Sequence, residues 1–373
     1  MDAIIPIPYV NVARQHAAIK DELLSALSEV LDGGHFILGE QVEKFEQSFS
    51  DLCGVRYAVG VNSGTDALIL GLKAIGVGPG DEVITVPNSF VSSTACIRLL
   101  GAKTVFVDVG DDYNMDPKNI SGAISPRTKA ILPVHLTGRP CDMEPIMNIA
   151  KRHSVHVVED CAQAVLAEYQ GKRVGSFGTI GCFSLHPLKT LNACGDGGVL
   201  TTDDPLLWER LKIMRNLGLK TRDDCVLWSY NSRLDTIQAA ILLVKLRYVE
   251  RWTARRRENA DRYRGALAKI SQVRLPPAEK KYEKAVYHTF VIQAENRDNL
   301  REYLASQGIG SGVHYPVPIH LSTAGRELGY HEGSFPMAEN QAKKVVSLPV
   351  YPELTEMQIS KVCSCIQDFY NKH

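Results

Sequence analysis

The stretch YAVGVNSGTDALILGLKAIGVGPGDEVITVP, residues 57–87, decides the fold class. Tyr57–Val61 has the composition of a short strand. Asp66–Ile75 carries its leucines and isoleucines at helical spacing. GVGPGDE then closes the helix with turn residues, and Val83–Val86 is strand again. Strand, helix and strand thus alternate through short connections.

Outward from this unit the alternation continues. Ser92–Leu100 predicts a helix, Thr104–Val109 a strand, Pro117–Ile124 a helix, Ala130–Val134 a strand, Met143–Arg152 a helix and Val155–Val158 a buried strand. Upstream, residues 15–50 read as helical, with Ile19, Leu23, Leu27 and Val30 in phase and Gly33-Gly34 as a stop. The expectation is an α/β protein with a large, mainly parallel sheet covered by helices on both faces. The pattern loosens over residues 170–200, where short runs such as Gly198–Thr202 are broken by glycines. A long helical stretch follows Ser232 to about Ile270. It contains RWTARRRENADRYR at 251–264, six arginines against two acids, read as a solvated face. From about residue 285 a second, smaller α/β unit begins: strand Thr289–Gln293, helix Arg297–Ser306, strand Gly312–Tyr315, helix Met337–Val346 and helix Glu356–Phe369. The division is expected within the long helix, giving a large domain over 1–245 and a small C-terminal domain over 246–373.

Composition narrows the function. The 373 residues suggest two domains at about 150 residues each. Lys plus Arg equals Asp plus Glu, 42 each, which argues against a protein built to coat nucleic acid or an anionic membrane. Nine cysteines are scattered, without C-x-x-C or a nearby His pair, so they read as free thiols with no disulfide frame and no metal site. The opening MDAIIPIPYV has an acid and two prolines where a secretion leader wants a basic head and an unbroken apolar run. Ala239–Val244 is too short to span a bilayer. The expectation is a cytoplasmic protein without nucleic-acid or membrane partners.

Four segments carry groups fit for chemistry. VNSGTDAL, 61–68, ends a strand and opens a helix at Thr65 or Asp66; the free N–H groups there suit an anion, though Ser or Thr before a helix is also an ordinary cap. VHVVEDCAQA, 155–164, delivers Glu159 and Asp160 at the carboxyl end of a strand, where α/β sheets place ligands; a structural ion pair is the alternative. In CFSLHPLKTLNACGDGGVL, 182–200, Lys189 lies in a mostly uncharged stretch after Ser184. There a lysine can lose its proton and attack an aldehyde, and Gly195, Gly197 and Gly198 leave room beside a flat ligand. In YNSRLDTIQAAIL, 230–242, Asn231 and Arg233 precede a helix. Together these are the parts of a pyridoxal phosphate (PLP) site: a lysine for the aldehyde, an acid for the ring nitrogen, and a helix terminus with hydroxyls for the phosphate.

These segments, with GVGPGDEVITVP, ISPRTKAILPVHLTGRPCDM, GVHYPVPIHL and SLPVYPELTE, resemble in order the motifs of the DegT/DnrJ/StrS-type sugar aminotransferases, over nearly the whole chain. The resemblance implies the aspartate-aminotransferase fold and PLP. Lys189 would join the cofactor and Asp160 would pair with its ring nitrogen. Gln163 would lie near the ring hydroxyl, Phe90 would stack on the ring, and Gly64, Thr65 and Ser184 would hold the phosphate. Asn231 would reach the phosphate of the neighbouring subunit's cofactor in a homodimer. The substrate side would draw on His186, Arg233, His314, Tyr315 and His320. The chain departs from the family in having Phe90 where Tyr or Trp is common, SLHPLK for S-F-x-P-T-K, and Cys161 where alanine is frequent. The implied reaction moves an amino group, with glutamate as the expected donor, to a nucleotide-linked keto-sugar; GVHYPVPIHL leans toward the 3-keto rather than the 4-keto branch. A dehydratase branch has histidine at the position of Lys189, so Lys189 speaks against it. The intact cofactor set speaks against a non-enzymatic regulator.

Overall fold

The computed structural model describes residues 6–372, so the first five residues of the opening segment lie outside it. Seven strands form the main sheet: β1 Tyr57–Val61, β2 Glu82–Thr85, β3 Lys103–Phe106, β4 Thr128–Ile131, β5 His156–Asp160, β6 Ile180–Ser184 and β7 Gly198–Thr202. Their order is β1-β7-β6-β5-β4-β2-β3. From β3 to β6 every pairing is parallel, and only β7 runs against its neighbours. The inner strands β2 and β5 to β7 are buried almost throughout, as a sheet covered on both faces requires. Register positions the site. Asp160 lies opposite Cys182, and Ser184 and Val61 both align on Gly198. The carboxyl ends of β1, β5 and β6 thus meet at one edge.

A second sheet is antiparallel: β8 Val273–Arg274, β9 Phe290–Ala294 and β10 Val345–Leu348, in the order β8-β9-β10. The helices Arg297–Ser306 and Glu356–Lys372 cover it. Phe290, Ile292, Leu304, Val346, Val362 and Ile366 form its core. All nine cysteines are free. Among the described residues, no helix is long and apolar enough to cross a membrane.

Several expected elements change form. The expected helical stretch 15–50 falls across three helices, Val12–Ala17, Lys20–Gly33 and Glu40–Cys53, the last two separated by Gly34 and Gly39 at φ 66° and 87°. Pro117–Ile124 makes two 3-10 turns, Pro117–Asn119 and Ser121–Ala123, because Ser121-Gly122 cannot sustain a helix. Ile180–Ser184 is a full strand that Gly178 and Gly181 obscured. The long stretch after Ser232 is two helices, Thr236–Leu246 and Val249–Leu267, broken at Arg247-Tyr248. Each half serves a different core: Ala239 and Leu242 pack with Phe45 and Phe49, whereas Ala260, Tyr263 and Leu267 pack with Phe290. Gly312–Tyr315 is not a strand; only Gly312 bridges, to Ser347. The helix Pro336–Lys344 stops before VVSL, whose β-branched residues form β10.

Candidate active site

The carboxyl edge of the main sheet opens into a cavity of about 380 Å³, lined from both sheets. Asp160, the last residue of β5, is buried at its floor. Its Oδ2 accepts from Ser93 Oγ at 2.7 Å and its Oδ1 from the Ala162 N–H at 3.1 Å. Burial pushes the carboxyl up from its ordinary value; the Ser93 and Ala162 hydrogen bonds and the nearby Lys189 amine oppose that shift. Glu159, one residue earlier, points to the other face. It accepts from the N–H groups of Gly175, Phe177 and Gly178, each at 2.8 Å, and pairs with His135 Nε2 at 3.1 Å. It pins the loop after β5 and takes no part in the cavity. His135, Glu159 and Cys161 set ligand-type atoms within 4.8 Å of one another, but the first two are committed to these bonds and to the Cys141 N–H.

Lys189 follows the stiff Leu185–Leu188 approach and faces Asp160 across the cavity. It keeps some accessible surface because it faces this space, yet close packing desolvates its amine and lowers its pKa to about 8, with Asp160 pulling the other way. Its backbone N–H bonds His186 O at 2.8 Å. Its Nζ has no hydrogen-bond partner among the described residues.

The helix Gly64–Ala74 begins at the rim, capped by Ser63, whose Oγ accepts from the Asp66 N–H at 3.0 Å. Thr65 Oγ1 lies 2.8 Å from Ser92 Oγ. This turn packs so closely on the sheet that a Cβ at Gly64 would come 2.6 Å from Ser184 Cβ, and one at Gly198 would come 2.2 Å from Ser63 O. The space that Gly198 leaves is therefore filled by the protein's own turn and not by a flat ligand, contrary to expectation. Gly195 and Gly197 likewise face Gln238 and Leu185.

Of the other expected residues, Gln163, Ser184, Phe90, His186, His314 and Tyr315 line the same cavity. Gln163 accepts from the Thr137 N–H at 2.7 Å and donates to Tyr315 Oη at 3.3 Å. Phe90 is exposed, its ring 5.8 Å from that of Tyr315. His314 stacks on Tyr9 at 5.7 Å and meets Ser347 Oγ at 2.8 Å; burial, then Lys189, lowers its pKa to about 4. Three residues stand elsewhere. Asn231 is exposed and bridges Asn216, while Arg233 Nη1 donates to Asn216 Oδ1 at 3.0 Å. His320 is fully buried away from the cavity, bound to Glu339 at 3.0 Å with its ring edge on Phe335. Its imidazole is enclosed by the protein, which corrects its expected place on the substrate side.

The cavity also holds residues that the sequence reading passed over: Tyr9, Ser93, Arg256 and His288. Arg256 overturns the solvated reading of residues 251–264, since only 6% of it is exposed. Val249, Trp252, Thr253, Arg256, Asn259, Ala260, Tyr263 and Leu267 form one buried stripe, and Arg256 is in phase with it. That phase was the available signal.

A free, desolvated amine beside a buried carboxylate, with a helix N-terminus and hydroxyls at the rim, is the donor set of a PLP enzyme of the aspartate-aminotransferase fold. A sequence profile described as the DegT/DnrJ/EryC1/StrS aminotransferase family matches residues 17–367, and the chain belongs to that family. Its cofactor is PLP. Among its relatives, a "pleiotropic regulatory protein" of Geobacillus stearothermophilus is 42% identical, covering 98% of both chains. A dTDP-3-amino-3,4,6-trideoxy-alpha-D-glucose transaminase of Streptomyces venezuelae is 40% identical over 97% of this chain and 96% of its own. A UDP-N-acetyl-3-dehydro-alpha-D-glucosamine 3-aminotransferase of Acidithiobacillus ferrooxidans is 42% identical over 97% of each. Among solved structures, S. venezuelae DesV, captured with an intermediate, superposes with TM-score 0.95 at 40% identity over 98% of each chain. Bacillus subtilis NtdA with bound PMP superposes with TM-score 0.92 at 30% identity, over 98% of this chain and 85% of its own.

Proposed function

We propose that this protein transfers an amino group from an amino acid, with glutamate the expected donor, to the 3-keto group of a nucleotide-linked sugar. The observation that carries the chemistry is the unpartnered Lys189 amine, at a pKa of about 8, sharing a cavity with Asp160. The 3-keto assignment is supported by relatives named for 3-amino sugars, against the 4-keto alternative.

Bound PLP supplies an aldehyde to receive the amine and a ring that withdraws electrons from the carbon beside it. Lys189 Nζ, neutral in a large fraction of molecules near pH 8, takes a proton from the donor's α-carbon and returns one across the site. The cost of burying the Asp160 carboxylate falls once a cationic ring nitrogen faces it, and Ser93 orients it for that contact. The Ser63–Thr65 turn and Ser184 would hold the phosphate through N–H and hydroxyl groups. Gly64 is required there because any side chain would strike Ser184. Gln163, fixed by Thr137 and Tyr315, and Phe90 would both contact the cofactor ring. His186, His314 and Tyr315 face the sugar.

The division into 1–245 and 246–373 belongs to this reading, supported by the two sheets and their separate cores. So does a cytoplasmic homodimer. The segment before Asn231 exposes Val226, Trp228 and Tyr230, with Trp228 88% accessible, an apolar surface suited to a second copy. Asn231 and Arg233 would then serve the partner's cavity rather than their own. The regulatory name of one relative suggests a non-catalytic role; the complete cavity favours catalysis.

Borohydride reduction of the yellow protein followed by peptide mapping should place the pyridoxyl label on Lys189; a label elsewhere overturns the assignment. Turnover on a panel of 3-keto and 4-keto sugar nucleotides decides the acceptor. For assembly, Lys189→Ala and Asn231→Asp are each expected to be inactive. Mixed under subunit exchange, they should regain activity, because a shared site leaves one of two sites intact. A mixture that stays dead returns Asn231 to its own subunit.

A further inference from the structure

Among the described residues three arginines are buried: Arg139, Arg215 and Arg256. The first two each hold a carboxylate, Glu283 and Glu46 respectively. Arg256 holds none. Its Nη1 reaches only the backbone carbonyls of Tyr287 and His288, at 3.5 and 3.4 Å; its Nε has no partner, as is also true of the other two. Its neighbour Arg257 is paired with Glu279 at 3.0 Å. Desolvation lowers the Arg256 pKa to about 10, and the more distant Glu353 and Tyr9 only partly offset it. A guanidinium so placed is costly to the fold unless something else uses it.

Arg256 lines the Lys189 cavity. Around it stand Lys189, His314 and the half-buried His288, whose Nδ1 also lacks a partner. Two acids line the cavity, Asp160 and the exposed Asp196, and neither pairs with Arg256. Burial lowers the pKa of both histidines, so Arg256 is the standing positive charge among these groups. The phosphate rim is elsewhere, at the N-terminus of the Gly64–Ala74 helix, where N–H groups and hydroxyls already suit that anion. Any α-amino acid that brings its α-carbon to Lys189 must place its α-carboxylate in the same cavity. A fork of N–H donors fits a carboxylate in two-point contact.

We propose that Arg256 binds the α-carboxylate of the amino-acid donor, and so decides that this half of the reaction takes amino acids. The proposal rests on the aminotransferase reading above. It is tested on the PLP-loaded protein by the cofactor's absorbance, one half of the reaction at a time. First the wild type is titrated with L-glutamate, or with whichever α-amino acid converts it, and then with a 3-amino sugar nucleotide that carries no carboxylate on its sugar. In Arg256→Gln the amino-acid concentration for half-conversion should rise at least about 30-fold, the usual scale for losing a buried charged contact. The aminosugar midpoint should move less than about threefold. Arg256→Lys, which keeps the charge but not the fork, should recover part of the loss. Equal losses in both halves, or an unchanged amino-acid midpoint, overturn the proposal and leave Arg256 as a tie between its helix and residues 287–288. A loss seen only with a sugar that carries a carboxylate also overturns it. Should Arg256→Gln fail to fold, succinate decides on the wild type: it should raise the glutamate midpoint in competition, and no competition counts against the site. If neither amine source changes the wild type's absorbance, it is the aminotransferase reading that fails.

Discussion

Two lysines lie inside this protein with pKa values lowered to about 8, both by burial, and they differ in everything else. Lys189 faces a cavity with a free Nζ. Lys245, on the Thr236–Leu246 helix, is fully buried, and its Nζ meets Asn192 Oδ1 at 2.6 Å, Asn192 O at 2.9 Å and His16 Nε2 at 2.8 Å. Asn192 in turn donates to the backbone carbonyl of Lys189 at 3.1 Å. One lysine is available for chemistry and the other anchors the loop that carries it. A lowered pKa does not separate them. Unspent hydrogen-bonding capacity does. Arg256 differs from Arg139 and Arg215 by holding no carboxylate, since the Nε of all three lacks a partner.

The comparison breaks first at Lys189. Lys189→Ala should cut turnover by about 10³-fold or more, since the group that moves the proton is gone. Its melting temperature should stay near that of the wild type, because no hydrogen bond to Nζ is lost. Asp160→Asn should lose about 10²-fold in turnover while PLP stays bound, as an amide cannot balance a cationic ring nitrogen. Steady-state turnover and cofactor absorbance check both. Near-wild-type turnover in either variant would return that residue to a structural role.

Lys245→Met should behave in the opposite way. It strands two acceptors of Asn192 in the interior, at a cost of about 2–4 kcal/mol. Turnover per folded molecule should fall less than tenfold, through loosening of the 189–192 loop. Urea unfolding followed by assay of the folded fraction separates the two effects. A variant as stable as the wild type but inactive would make Lys245 part of the chemistry.

How far the sequence discloses this arrangement depends on which wall of the cavity is considered. The wall from the main sheet was legible. Asp160 and Lys189 stand in short motifs, and strand-helix alternation places their ends at one edge. The wall from the second sheet was not. Tyr9, His288 and Arg256 converge from segments far apart in the chain, with no local motif to announce them. Arg256 was hidden by its neighbours, because counting six arginines describes a solvated face whereas their phase puts this one inward. The break at Arg247-Tyr248 was invisible for a similar reason: both halves are good helix, and only the two separate cores require them to part. His320 shows the converse, a motif histidine whose partner, Glu339, is supplied by a later helix.

The smallest expected effect tests the comparison most directly, through pH. In the unfolded chain Lys245 titrates near its ordinary 10.5, and in the fold near 8. Between these values the unfolded lysine carries a proton that the folded one has lost. The unfolded state then binds more protons, and stability from this group rises with pH across that window. Below pH 8 both states are protonated, and burying the ammonium is a constant cost. Methionine has no such proton, so the stability gap between wild type and Lys245→Met should be smallest at pH 7.5 and widen toward pH 10. Both proteins carry Cys194→Ala, because Cys194 Sγ lies 3.8 Å from Lys245 Nζ and interacts with it; taking the difference then removes the remaining buried tyrosines and cysteines, which titrate alike in both. His16, whose own pKa is lowered by burial and by Lys245, titrates below the window and leaves the sign intact. A gap that stays flat from pH 7.5 to 10 would show that the Asn192 acceptors hold Lys245 as an ammonium. The two lysines would then differ in charge as well as in partners, and Lys189 alone would owe its neutral amine to being left without one.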